Sequence, residues 1–156
     1  MPESISEHIT YREATQSQTA VRRGIDNTPD ETTLAKMRDV ARAIYEPLVA
    51  HFQHEPFVSS FFRSPRLNAA IGGALRSQHV LGEAIDIDGD VYGTVTNRQI
   101  FDHVRANLLF DQLIWEYGTA SSPAWVHVSF REGDNRGNVL RARRLGNGKT
   151  VYGAFL

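Results

Sequence analysis

The sequence contains no cysteine and almost no surplus of charge. Without cysteine, its 156 residues can form neither disulfides nor thiolate metal sites, so a transition metal could be held only by imidazole and carboxylate side chains. The 17 basic side chains are balanced by 18 acidic ones. A chain with so little net charge has no overall field that would draw it to nucleic acid or to an anionic membrane, and we expect neither as a partner.

Long apolar runs are also missing. No stretch approaches the roughly 20 apolar residues of a membrane span, and the opening residues, Met1 to Glu7, lack the basic start and apolar run of a secretory signal. We therefore expect cytoplasmic synthesis without membrane insertion. The protein would then reach a substrate in the periplasm or cell wall through a lysis pore or from a virus particle. In the second case, virion proteins would be partners.

Apolar residues make up 41% of the chain, enough for the core of one domain. Their three- and four-residue spacing predicts one helix from Pro29 to about Ala50 and another from Asn97 to Asn107. Strands are predicted at 57–62, 84–88, 111–117, 125–130 and 151–155. This order favours a single α+β domain over 1–156, whose small, mainly antiparallel sheet packs helices on one face and carries a metal site on the other. Residues 1–28 form an N-terminal extension packed on the domain, and 131–156 form a basic C-terminal tail or strand.

Alternation along three predicted strands places polar side chains opposite the apolar ones. Asp86 points away from the isoleucines beside it, and His127 points away from the valines beside it. Glu116 and Gln112 likewise share the polar face of the strand at 111–117. If these polar faces coincide in the folded protein, they form a site.

Zinc suits such a site. Catalytic zinc commonly takes three His or Asp/Glu ligands and leaves a position open for water, and His79, Asp86 and His127 would give that count. A nearby carboxylate is still needed to move protons between the water and the leaving amine. Glu116 is the candidate for this role, with a solvated carboxylate at a strand end as the alternative interpretation.

Two motifs resemble the zinc motifs of the peptidase M15 family. They are Ser77-x-His79-x-x-Gly82-x-Ala84-x-Asp86-Ile87 and Trp125-Val126-His127-Val128-Ser129, and Phe62-Arg63-Ser64 resembles the segment before the first. The resemblance covers roughly residues 10 to 130 and is to the branch with D-Ala-D-Ala carboxypeptidases and phage L-alanyl-D-glutamate endolysins. It implies a hedgehog-like fold, one zinc ion on His79, Asp86 and His127, and hydrolysis of peptide bonds in peptidoglycan stem peptides, without indicating which bond.

The resemblance also implies that Arg63 stabilises a developing oxyanion or anchors a substrate carboxylate, tasks that suit a permanently charged, fork-shaped guanidinium. One departure concerns the base: many family members carry a catalytic Glu three residues before the second zinc histidine, where this chain has Ala124. Glu116 is the nearest replacement. The departure keeps open a second hypothesis, a zinc-stabilised wall-binding or structural module without turnover.

Several further residues have both a functional and a structural interpretation. Ser77, Gln112 and Trp125 are candidate substrate-binding residues, although Ser77 could instead brace its loop and Trp125 could belong to the core. Gly82 is expected to adopt a positive φ. We interpret two groups as surface residues, namely the pair His51 and His54 and the basic cluster Arg136, Arg141, Arg143, Arg144 and Lys149; a capsid partner or an anionic wall polymer is the alternative for the cluster.

Overall fold

The chain folds around a six-stranded sheet in the computed structural model, which describes residues 1–156. The strands are β1 (Phe57–Ser60), β2 (Ala84–Asp88), β3 (Gln112–Glu116), β4 (Trp125–Ser129), β5 (Asn138–Arg144) and β6 (Thr150–Ala154). Their order across the sheet is β1-β2-β4-β3-β5-β6, and every neighbouring pair is antiparallel except β3 and β5. The predicted α+β class with a mainly antiparallel sheet is confirmed.

Six α-helices accompany the sheet: α1 (Tyr11–Thr15), α2 (Gln18–Arg23), α3 (Glu31–Val40), α4 (Glu46–Phe52), α5 (Pro65–Ala70) and α6 (Asn97–Asn107). The side chain of Asp30 caps α3 by accepting a hydrogen bond from the Thr33 amide. A π-helical turn over Ala41–Tyr45 joins α3 to α4, so the helix predicted from Pro29 to Ala50 is one helical run with an inserted turn. None of the helices is both long enough and apolar enough to cross a bilayer.

The two faces of the sheet differ as the alternation predicts. Ile85, Val128 and Trp115 lie on the face that packs against α3, α4 and α6, within one core of 26 buried residues. The intervening residues, among them Asp86 and His127, therefore face the opposite side. Because the core is confined to the helical face, the other face is free to carry polar groups.

The C-terminal segment departs from the prediction. A solvated basic tail with one strand was expected, but residues 138–154 form two strands, and β5 lies parallel to β3 inside the sheet. Two of its arginines remain partly exposed but contact buried side chains. Arg141 lies 5.2 Å over the ring of Trp115, and Arg136 pairs with the buried carboxylate of Asp111 at 2.8 Å. A parallel neighbour is set by long-range pairing, which the local pattern of Gly, Asn and Arg does not reveal.

Candidate active site

Two imidazoles and one carboxylate meet on the face of the sheet opposite the helices. Antiparallel pairing of β2 and β4 sets Asp86 directly beside His127, and the loop before β2 brings in His79. His127 Nδ1 lies 2.9 Å from Asp86 Oδ1, and His79 Nε2 lies 3.1 Å from Asp86 Oδ2. One potential ligand atom from each residue lies within 4.8 Å of the other two. The structure thus brings together the three side chains that the sequence analysis grouped.

The ring of His79 is oriented as a metal ligand would be. Its Nδ1 lies 2.7 Å from the carbonyl oxygen of Phe61, and because a carbonyl can only accept, Nδ1 must carry the proton. Nε2 then presents a lone pair to the carboxylate of Asp86. This nitrogen is buried and has no hydrogen-bond partner. Two electron-rich atoms facing each other in a buried site are stabilised when a cation lies between them.

The electrostatics of the group agree with such a cation. Burial lowers the pKa of His79, which favours the neutral imidazole that binds metals. Burial alone would raise the pKa of Asp86, but the neighbouring imidazoles of His79 and His127 hold it well below its usual range. The site therefore offers two imidazoles and one carboxylate, a donor set that fits zinc.

Hydrogen bonds from several elements fix the loop that carries His79. Ser77 Oγ accepts bonds from the His79 amide at 3.3 Å and from Arg63 Nη2 at 3.4 Å, which matches the bracing interpretation of Ser77. Gln78 Nε2 donates to Asp111 at 2.9 Å. Gly82 has the expected positive φ, at 73°, where the loop passes close to α3. The role of Asp111 as a support for this loop was not predicted from the sequence.

Glu116 lies on the same face, at the end of β3. Only 7% of the residue is exposed. Burial raises the pKa of Glu116 to about 7, an effect increased by the charge of Asp86 and opposed by His127 and Arg63. The amide of Ala124 donates to the Glu116 carbonyl oxygen at 2.8 Å. Glu116 is paired with Trp125, the residue directly after position 124, where the family resemblance would place the carboxylate.

Arg63 follows β1 and is partly buried. Burial lowers the pKa of its guanidinium, while the charges of Asp86 and Glu116 act in the opposite direction. Its Nε is buried and makes no hydrogen bond. A groove of about 1350 Å³ runs from Arg63 between β1 and the N-terminal helices α1 and α2, and none of the three grouped side chains lines it. Arg63 therefore lines this groove and is also close enough to Asp86 and Glu116 to feel their charges.

The other predicted residues lie at different distances from this centre. Trp125 is paired with Glu116 across the strands and packs on the ring of Tyr117, with 5.3 Å between ring centroids. Gln112 lies on the same face but beyond Ile114, and its side chain makes no hydrogen bond to the grouped residues. His51 stacks on another histidine, and neither it nor His54 belongs to a group of three potential metal ligands.

Two tyrosines near Glu116 escaped the sequence analysis. Tyr117 has a φ of 53°, a conformation that bulky residues rarely adopt, and its hydroxyl lies 2.6 Å from Thr150 Oγ1. Tyr152 is paired with Ala142, which is in turn paired with Glu116. A strand near Tyr152 was predicted, but only the pairing of β5 with β3 shows that it lies in the row of Glu116.

The whole arrangement can bind a divalent cation and supply a carboxylate and a guanidinium beside it, which are the groups that hydrolysis of an amide requires. No curated protein matches the chain. The sequence model of the peptidase M15 family, however, matches residues 7–129, which include every grouped side chain as well as Arg63 and Glu116. The chain therefore belongs to the peptidase M15 family.

Proposed function

We propose that this protein is a zinc-dependent peptidase that hydrolyses peptide bonds in the stem peptides of peptidoglycan. The observation that carries the proposal is the meeting of His79, Asp86 and His127 in one buried cluster, with Glu116 and Arg63 on the same face. Membership of a peptidase family supports hydrolysis of a peptide. The stem peptide as substrate follows from the resemblance of the two zinc motifs to those of wall-cutting enzymes.

His79, Asp86 and His127 are the residues that would hold the zinc ion. When bound, zinc supplies a Lewis acid that polarises a peptide carbonyl and makes a water molecule more acidic. The carboxylate of Glu116 would take a proton from the attacking water and return it to the leaving amine. Burial raises the pKa of Glu116 and a bound zinc ion would lower it again, so the carboxylate would be ionised and able to accept a proton near neutral pH.

Arg63 would act on the substrate. Its guanidinium stays charged at any working pH and has a buried Nε without a partner, so it can donate a hydrogen bond to an added acceptor. That acceptor would be the oxyanion that develops on the scissile carbonyl or a carboxylate of the stem peptide. The groove beside Arg63 would receive the rest of the substrate.

A second candidate is a zinc-stabilised module that binds the wall without cutting it. The observation in its favour is Ala124, an exposed residue at the position where the family resemblance expects the base. The position of Glu116 answers this point in part, because it is paired with Trp125, the residue after Ala124, on the sheet face that carries His127.

Digestion of purified peptidoglycan tests the two candidates. Zinc-loaded protein should release new amino groups, and mass spectrometry of the fragments would identify the bond cut, whether D-Ala-D-Ala or L-Ala-D-Glu. Glu116→Gln should reduce the rate by at least about 100-fold, as expected for loss of a general base. Wall that sediments with the protein but yields no new amino groups would establish the binding module. A fully lytic Glu116→Gln variant would show that another group is the base.

A further inference from the structure

Tyr152 lies in the same row of the sheet as the proposed base. Glu116 on β3 is paired with Ala142 on β5, and Ala142 is paired with Tyr152 on β6. Side chains of directly paired residues point to the same face, so Tyr152 stands on the face of the metal cluster. The intervening Ala142 carries only a methyl group and is fully buried. Tyr152 and Glu116 are therefore the large side chains on either side of it, with Cα atoms roughly 10 Å apart at about 4.8 Å per strand.

The strand that carries Tyr152 is fixed at both ends. At its start, Thr150 contacts the hydroxyl of Tyr117, the residue directly after Glu116. After it, the ring of Phe155 packs 5.3 Å from that of Trp115 in the core, and the Phe155 amide donates to Val139 at 3.0 Å. A tyrosine on a frayed edge strand would have no defined position, whereas these contacts hold Tyr152 in place.

The phenol of Tyr152 is not used within the protein. Its hydroxyl makes no hydrogen bond to another residue, and the residue is 53% exposed. Partial burial and the negative charges of Glu116 and Asp86 raise its pKa, so the hydroxyl keeps its proton. A protonated phenol donates, and the backbone of a peptide substrate offers its carbonyl oxygens as acceptors. A neutral oxygen acceptor, such as a peptide carbonyl, is the group that this donor matches.

We propose that Tyr152 is a substrate-binding residue that donates a hydrogen bond to a carbonyl oxygen of the peptide. The proposal rests on the peptidase function proposed above. It gives the β5–β6 hairpin, at the edge of the sheet opposite β1, a functional role. Residues 138–154 lie outside the segment that matches the family.

The test compares Tyr152→Phe with a matched control, Tyr92→Phe, which removes the hydroxyl of an exposed tyrosine outside the proposed site. The substrate is a synthetic stem pentapeptide that ends in D-Ala-D-Ala, with purified peptidoglycan as a second substrate. We expect kcat/KM to fall about tenfold or more for Tyr152→Phe, the effect of one lost hydrogen bond to the substrate, and to stay unchanged for Tyr92→Phe. Zinc content and melting temperature should equal those of the wild type in both variants.

A binding measurement separates contact from indirect effects. The Glu116→Gln protein loaded with zinc should bind the substrate without cutting it, and adding Tyr152→Phe should weaken binding about tenfold. The ring ¹³Cζ signal of Tyr152 should move on saturation, while that of Tyr92 should not. Unchanged kinetics in Tyr152→Phe together with a stationary Tyr152 signal would overturn the proposal while leaving the peptidase function intact. A wild-type protein that cuts neither substrate would overturn the peptidase function itself, and this inference with it.

Discussion

The buried carboxylate of Glu116 should make the metal-free protein less stable as the pH rises. Raising the pKa of this group from 4.5 to about 7 means that ionisation is less favourable in the fold than in the unfolded chain. A carboxyl group with a raised folded pKa contributes its full stability below its unfolded pKa and loses it as the pH rises through its folded pKa. Replacing Glu116 by Gln removes the ionisation and should remove this loss.

The magnitude follows from the two pKa values. Relative to its value at low pH, the stability advantage of Glu116→Gln over the wild type should grow by only a few tenths of a kcal/mol by pH 4.5. It should grow by about 2 kcal/mol by pH 6 and by about 3 kcal/mol by pH 8. Other titrating groups are common to both proteins and cancel in the comparison. The test uses only the change of this difference with pH, because exchanging a protonated Glu for Gln also alters the unfolding free energy by an amount that does not depend on pH.

Urea denaturation of both proteins in the presence of a chelator, at intervals from pH 4.5 to pH 8, measures this difference. Glu132→Gln serves as the control, because its side chain is 73% exposed and the same chemical change there should shift stability by less than about 0.5 kcal/mol. Zinc should shrink the difference for Glu116, since a nearby cation favours the carboxylate. A difference that stays constant with pH, or that turns in favour of the wild type at high pH, would refute the assignment of Glu116 to a buried site.

Three further predictions concern the metal and the elements around it. Zinc at about 1,000 times its dissociation constant should stabilise the wild type by about 4 kcal/mol, and His79→Ala should abolish this effect in thermal denaturation. Hydrogen bonds from Arg136 lower the pKa of the buried Asp111 to about 2. The ionised carboxylate should therefore add about 2 kcal/mol to the free energy of unfolding above pH 4, and this stability should be lost as the pH falls towards 2. Acid denaturation of Asp111→Asn should not show this loss. Gly82→Ala would set a Cβ 2.8 Å from the Thr33 carbonyl oxygen at positive φ and should lower the free energy of unfolding by about 2 to 4 kcal/mol. Gly93→Ala is the control, because Gly93 has a similar φ of 74° with nothing within 4 Å of the added Cβ; it should lower that free energy by only about 1 kcal/mol in the same urea titration.

Local pattern was sufficient for much of the fold and for the centre of the site. The period of two in β2 and β4 identified which residues share a face, and it placed Asp86 and His127 opposite the core before any pairing was known. The helical spacing of apolar residues likewise predicted α6 with its observed bounds. These features depend on residues close together in the sequence, and for that reason a single chain reveals them.

Pairing between distant segments was not predictable in the same way. Nothing near Asn138 indicates that β5 lies parallel to β3, because that register depends on contacts across the sheet rather than on local spacing. For this reason the sequence did not show that Tyr152 lies in the same row of the sheet as Glu116, although the strands that carry them were both predicted. The support of Gln78 by Asp111 was missed for the same reason, since the two residues are 33 positions apart.

The residues of the candidate site share an unfavourable property in the absence of a ligand. His79 Nε2 and Arg63 Nε are buried without a hydrogen-bond partner, and Glu116 is held away from water. Each of these arrangements costs stability in the metal-free protein, and a cation or a peptide would relieve each of them. The apolar core on the helical face, which includes Ile85 and Val128 of the strands that carry Asp86 and His127, holds the groups in place. The division of the sheet into an apolar face and a polar face therefore also separates stability from function, so Glu116→Gln should stabilise the metal-free fold above about pH 6 while it weakens turnover.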